Sequence, residues 1–95
     1  MAKVTSVVKT LLDNDRVRVS ESSWKPGTEG ASMKRPTRVV RALKGGTLTR
    51  VFENGKTEKV ERKAGEIYFM EADAVAHSLK NEGKSTVVLL NIFLK

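Results

Sequence analysis

Apolar and polar residues alternate along most of this chain with a period of two. Val17 and Val19 stand between Arg16, Arg18 and Ser20, the pattern of a strand with one apolar face. Residues 37–43 are rich in β-branched side chains and stop at Lys44-Gly45-Gly46. Alternation resumes over residues 47–53, with Leu48 and Phe52 set apart from Thr49 and Val51. Asn54-Gly55 follows, a pair favoured in two-residue hairpin loops whose residues take positive φ. Residues 56–62 are charged and carry few apolar positions, which predicts an edge strand. Shorter strands are predicted over residues 66–70 and 77–79, and residues 85–94 read as a long strand buried on both faces. Asp13-Asn14-Asp15, Lys25-Pro26-Gly27, Lys63-Ala64-Gly65 and Asn81-Glu82-Gly83 supply the turns between them.

Short strands broken by turns every eight to twelve residues predict an all-β sandwich or barrel. The interior expected from the alternation holds Val17, Val19, Val39 or Val40, Leu48, Phe52, Ile67, Phe69, Val88, Leu90 and Ile92. The pattern alone leaves open which of Val39 and Val40 faces in. Only residues 5–12 could host a helical turn, and they are rich in valine. The first ten residues are equally well read as a strand that pairs with a neighbouring subunit.

Length and composition narrow the class. Ninety-five residues make one domain with one modest core, residues 1–95, in which residues 1–12 form an N-terminal strand or arm at a dimer interface. The absence of cysteine excludes a disulfide framework and thiolate chemistry and is compatible with a cytoplasmic location. Residues 1–10 carry no long apolar run, so neither a signal peptide nor a membrane span is expected. The apolar stretch 87–94 is too short to cross a bilayer as a helix. An open barrel also leaves edge strands with unpaired backbone groups. With Val4, Val7, Val8, Leu11 and Leu12 needing a place to be buried, this predicts a homodimer with symmetric pairing of edges and with one sheet packed on its mate.

Charge adds a candidate chemistry. The net charge is +7, which attracts anions in general. Its distribution is uneven. Residues 30–52 contain no acid but hold Lys34, Arg35, Arg38, Arg41, Lys44 and Arg50. That run is either a solvated basic strand face or the lining of an anion-facing pocket.

The motifs Asn14-Asp15-Arg16-Val17-Arg18-Val19, Trp24-Lys25-Pro26-Gly27 and residues 37–46 resemble the first motif of small single-domain cupins. Residues 65–81, with His77 and Asn81, resemble the second. The opening Asn-Asp-Arg-Val-Arg-Val with Trp24 beyond it is similar to short cupins associated with beta-alanine degradation. The resemblance spans residues 13–94 and implies a cupin-type antiparallel jelly-roll β-barrel of two packed sheets. Family members carry four metal ligands. Laid on this chain, the two histidines of the first motif fall at Ser32 and Lys34, the carboxylate at Thr37 or Arg38, and the second-motif histidine at His77. One ligand survives beside two cations, so the resemblance implies a site with no metal and no other cofactor. An acidic site rebuilt from Glu29, Glu71 and Asp73 with His77 is the alternative.

Three function classes remain. In a metal-free binding module, Lys34 and Arg38 would pair with a small anion, with Ser32, His77 and Tyr68 adding hydrogen bonds. In a metal-independent enzyme, His77 would serve as general acid or base beside Lys34 or Arg38. A nucleic-acid-binding basic barrel is the third, and it is disfavoured because Phe52, Phe69 and Phe93 read as core rather than as stacking platforms. Trp24, Met33 and Met70 are read as packing residues. Lys34 and Arg38 point inward only if the strand runs unbroken through Pro36; otherwise they turn to solvent.

Overall fold

The computed structural model describes residues 6–95. It contains eight strands: β1 (Val7–Asp13), β2 (Val17–Trp24), β3 (Arg38–Lys44), β4 (Gly46–Phe52), β5 (Thr57–Arg62), β6 (Ile67–Met70), β7 (His77–Lys80) and β8 (Val87–Leu94). All pairings are antiparallel. A five-stranded sheet runs β1-β2-β8-β3-β6, and a three-stranded sheet runs β5-β4-β7. The predicted all-β, two-sheet architecture is therefore what the chain adopts. No helix among the described residues is long and apolar enough to cross a membrane.

The charged segment forms β5 at the edge of the smaller sheet, where its outer backbone groups reach water. The Asn54-Gly55 hairpin differs from the two-residue form expected. Gly55 alone takes positive φ, at 89°. The amide of Gly55 donates to the Phe52 carbonyl, and the amide of Phe52 donates to the Lys56 carbonyl. These bonds define a three-residue loop with glycine in the left-handed position. At the β3–β4 corner, a Cβ on Gly45 would lie 2.6 Å from the Arg62 carbonyl oxygen, so this glycine permits the turn to lie against the end of β5.

The N-terminal segment is a strand, as one reading had it, and β1 pairs with β2 of its own chain at the edge of the larger sheet. Val4 lies outside the described residues. β1 is exposed along its whole length, because the smaller sheet does not extend far enough to cover it.

The core is small. Trp24, Val40, Ala42, Leu48, Val87 and Leu89 form one buried cluster between the sheets. Val40, not Val39, faces inward. Of the remaining expected interior residues, Val88 is buried and Phe52 is half-buried. Ile67 and Phe69 are instead 66% and 62% exposed. Val17, Val19, Leu90 and Ile92 also stand on the outer side. In β2 the buried positions are Ser20, Ser22 and Trp24, and β8 places Asn91 among its buried positions. Alternation found the apolar face of these strands correctly. In β2 that face is turned away from the interior and the polar face is turned in, whereas β8 turns Val87 and Leu89 inward beside Asn91.

Candidate functional site

The inward faces of the two sheets enclose a cavity of about 200 Å3. Its floor is apolar, made by Trp24, Val40, Leu48 and Leu89. Ser20, Ser22 and Asn91 form a polar row on one wall, and the Asn91 side-chain amide donates to Ser22 Oγ at 2.7 Å. Four arginines, Arg18, Arg35, Arg38 and Arg62, share the rest of the lining with apolar residues that include Met33, Val60, Met70, Leu79 and Phe93, and among the described residues no acidic one lines it.

Each arginine is held from a different element. Arg38 opens β3 and is 4% exposed. Its Nη1 donates to the Pro36 carbonyl at 3.1 Å and its Nη2 meets Asp73 Oδ1 at 3.4 Å. Arg62 ends β5 with its guanidinium over the Tyr68 ring, 4.3 Å from the centroid. Arg18 lies over Phe93 at 5.2 Å. Arg35 sits on the segment before β3, where its Nη1 reaches both Nε2 and the carbonyl oxygen of His77 at 3.3 Å. Burial lowers the pKa of Arg35 and of Arg62, and neighbouring arginines push in the same direction. Guanidinium starts so high that both stay charged.

Asp73 organises this cluster from behind. Its Oδ2 accepts from the Arg35 amide at 2.9 Å, and its own amide donates to the Arg35 carbonyl at 2.9 Å. The same carboxylate faces Arg38 and, at 3.7 Å, His77 Nδ1. His77 is 2% exposed, packed against the Phe52 ring at 5.7 Å between centroids. Burial lowers its pKa first. Asp73 opposes that shift, whereas Arg35 and Arg50 add to it. The imidazole is therefore neutral. Arg35 can only donate, so Nε2 is the accepting nitrogen and Nδ1 carries the proton toward Asp73.

The residues expected from the sequence divide into two groups. Arg38 and His77 come together with Asp73, but of the two only Arg38 lines the cavity, with His77 lying behind Arg35. Ser32 and Lys34 are exposed and line no part of the cavity. The reason is a change of phase. Met33 pairs with His77 by an isolated bridge, and Pro36 separates that bridge from β3. The inward positions become Arg35 and then Arg38 rather than Lys34 and Arg38. Tyr68 does not line the cavity either. Its hydroxyl accepts from the Lys63 amide and donates to Glu66 Oε2, so it supports Arg62 instead of meeting a ligand.

Arg18 and Arg62 were missed. The signal for Arg18 was its shared parity with Ser20 and Ser22, which alternation assigned to solvent. Arg62 carried no comparable signal, because it lies in a charged edge strand.

These donors do not fit a transition metal. Among the described residues no three histidine, cysteine or acidic side chains converge on one point. His77 turns one nitrogen to a guanidinium and the other to Asp73. Glu29, Glu71 and Asp73 do not rebuild a ligand set around it.

No family model and no curated protein sequence matches the chain. Solved structures do. A cupin domain from Bordetella pertussis superposes with a TM-score of 0.89 at 24% identity, over 100% of this chain and 98% of that one. A conserved double-stranded β-helix protein from Klebsiella pneumoniae gives 0.74 at 18% identity, over 99% and 80%. A cupin-family protein with the same fold from Methanocaldococcus jannaschii gives 0.71 at 16%, over 98% and 82%. At these identities the likeness concerns the fold: the chain is an all-β jelly roll of the cupin, or double-stranded β-helix, type.

Proposed function

We propose that this barrel is a metal-free binding protein for a small organic anion. The observation that carries the reading is the set of four arginines around one cavity with no acid among the described residues that line it. Arginines brought this close repel one another and raise the local positive potential, which an anionic group relieves through paired N–H donors. The cavity of about 200 Å3 is below the ~300–1,000 Å3 of sites for drug-sized ligands, so the ligand is small. Its carboxylate or phosphate faces Arg35, Arg38 and Arg62, and a short apolar portion lies on Trp24, Val40 and Leu48. Small amino acids such as beta-alanine, linear monocarboxylates and dicarboxylates fall within this size. The lack of cysteine suits a reducing compartment such as the cytoplasm.

The metal-independent enzyme reading is weaker, because Arg35 occupies the one lone pair His77 would use as a base. Nucleic-acid binding is weaker too, because four of the arginines face the interior rather than a groove.

Thermal melting and calorimetry against a panel of small carboxylates, amino acids and phosphates at moderate salt test the proposal. Stabilisation by at least one class that is lost in Arg35→Ala with Arg38→Ala supports it. A panel that gives no saturable response, or one that the double variant leaves unchanged, refutes it.

A further inference from the structure

The cationic end of the cavity is a cluster drawn from both sheets. Arg38 on β3 has Met70 of β6 opposite it in register. Arg62 Nη2 reaches Met70 Sδ at 3.6 Å, so the guanidinium from β5 comes across to the residue beside Arg38. Arg35 joins them through Asp73, whose two oxygens take the Arg35 amide and the Arg38 guanidinium. Arg50 on β4 lies outside the cavity lining, with its side chain only 15% exposed. Its charge acts on both Arg35 and Arg62, lowering the pKa of each. Two carboxylates answer these four guanidiniums. Asp73 pairs with Arg38 at 3.4 Å and Glu58 with Arg50 at 3.1 Å. Arg35 and Arg62 form no ion pair among the described residues. The cluster therefore keeps two positive charges without a counter-charge.

We infer, resting on the anion-binding reading above and narrowing it, that the ligand of this cavity is a phosphate monoester of a small organic group. Charge and shape both select this head. A phosphate monoester carries about −1.5 to −2 at pH 7 and offers three acceptor oxygens. It meets two uncompensated charges and three lining guanidiniums, Arg35, Arg38 and Arg62. A carboxylate brings one negative charge and two oxygens, and a phosphate diester also brings one charge, so either leaves the cluster positive. An ammonium group finds cations and no acid among the described lining residues, which disfavours amino acids. Donors are free to make the contact. Arg35 bonds His77 through Nη1 alone, leaving Nη2 without a partner among the described residues. The Tyr68 ring takes the face of Arg62, and the thioether of Met70 at its Nη2 is a weak acceptor that a phosphate oxygen displaces. Beyond the head, the floor of Trp24, Val40 and Leu48 receives the organic group.

Calorimetry with ethyl phosphate, ethanesulfonate, propionate, succinate and inorganic phosphate tests the head group. It is run at one ionic strength and at about pH 7.5, above the second phosphate pKa of about 6. Ethyl phosphate and ethanesulfonate share a tetrahedral head and differ in charge, so their ratio reads charge rather than shape. Ethyl phosphate should bind about tenfold or more tightly than ethanesulfonate or propionate, and more tightly than inorganic phosphate, which lacks the organic group. Arg62→Gln should bring the ratio of ethyl phosphate to ethanesulfonate toward one. Glu58→Gln removes an exposed acid outside the cavity lining and should tighten ethyl phosphate severalfold, a gain that loss of folding cannot imitate. If no anion of the set binds, the anion-binding reading falls and the phosphate head falls with it. Saturable binding of propionate or ethanesulfonate within a few-fold of ethyl phosphate keeps the anion-binding reading and overturns the phosphate head. Tighter binding of succinate overturns it in favour of two carboxylates. Equal binding of inorganic phosphate overturns the ester and leaves the free ion as ligand. Affinities unmoved by both Arg62→Gln and Glu58→Gln overturn the charge match.

Discussion

Arg35 donates from Nη1 to His77 Nε2 at 3.3 Å, and this contact decides what the buried imidazole can do. A guanidinium cannot accept a hydrogen bond, so the ring is held as a neutral acceptor with its proton on Nδ1. His77 then positions Arg35 at the cavity rather than acting there itself.

A pH dependence follows from that neutrality. Burial holds the folded-state pKa of His77 below its ordinary 6.5, with Arg35 and Arg50 adding to the shift and Asp73 opposing it. The unfolded chain therefore binds the proton more readily, and stability rises with pH across the interval between the two values. It is complete above about 6.5 and falls on acidification below that. Melting temperatures between pH 7.5 and 5.5 should drop more for the wild type than for His77→Gln, whose amide oxygen can still accept from Arg35. Equal slopes for the two proteins would show that His77 is not the titrating group.

Removing Asp73 exposes the cost of the arginine cluster. Arg38 and Asp73 are both largely buried, and deleting one partner of such a pair leaves an uncompensated charge. Asp73→Ala should destabilise by about 3 kcal/mol, the lower end of the range for buried pairs, because the cavity can still hydrate Arg38. Arg38→Met in the Asp73→Ala background should recover part of the loss. Urea denaturation with both variants measures this, and a loss below about 1 kcal/mol would place Arg38 in a solvated setting.

The inside-out distribution of apolar residues gives a direct contrast between two side chains of similar size. Leu48 is 1% exposed, and Leu48→Ala should cost about 2–5 kcal/mol at any protein concentration. Ile67 lies on the outer face, and Ile67→Ala should leave the folded monomer within about 0.5 kcal/mol. Any effect of Ile67→Ala should appear only in the concentration dependence of melting. A large, concentration-independent loss at Ile67 would mean that this face is covered within the chain.

Metal content gives a further check on the donor set. Protein prepared without added metal should hold well under one transition-metal ion per chain by elemental analysis, and a chelator should leave the melting temperature unchanged. A stoichiometric metal lost on His77→Ala would require donors other than those converging here.

Strand order of polarity, turn positions and fold class were legible in the sequence because each depends on neighbours along the chain. Val17 and Val19 declare a strand with one apolar face, Gly55 a tight loop, and the charged run ending at Arg62 an edge. The resemblance to cupins read from residues 13–94 also led to the right fold. Which side of a strand faces the interior depends on what lies across from it, and alternation carries no information about that. Here Val17, Val19 and Ile92 form an apolar face directed outward, while Arg18, Ser20 and Asn91 line the cavity. The replacement of Lys34 by Arg35 as the inward cation has the same origin. One residue of phase shift at Pro36 puts Arg35 and Arg38, three positions apart, on the same side, and the Met33–His77 bridge and the clasp of Asp73 on Arg35 set that phase.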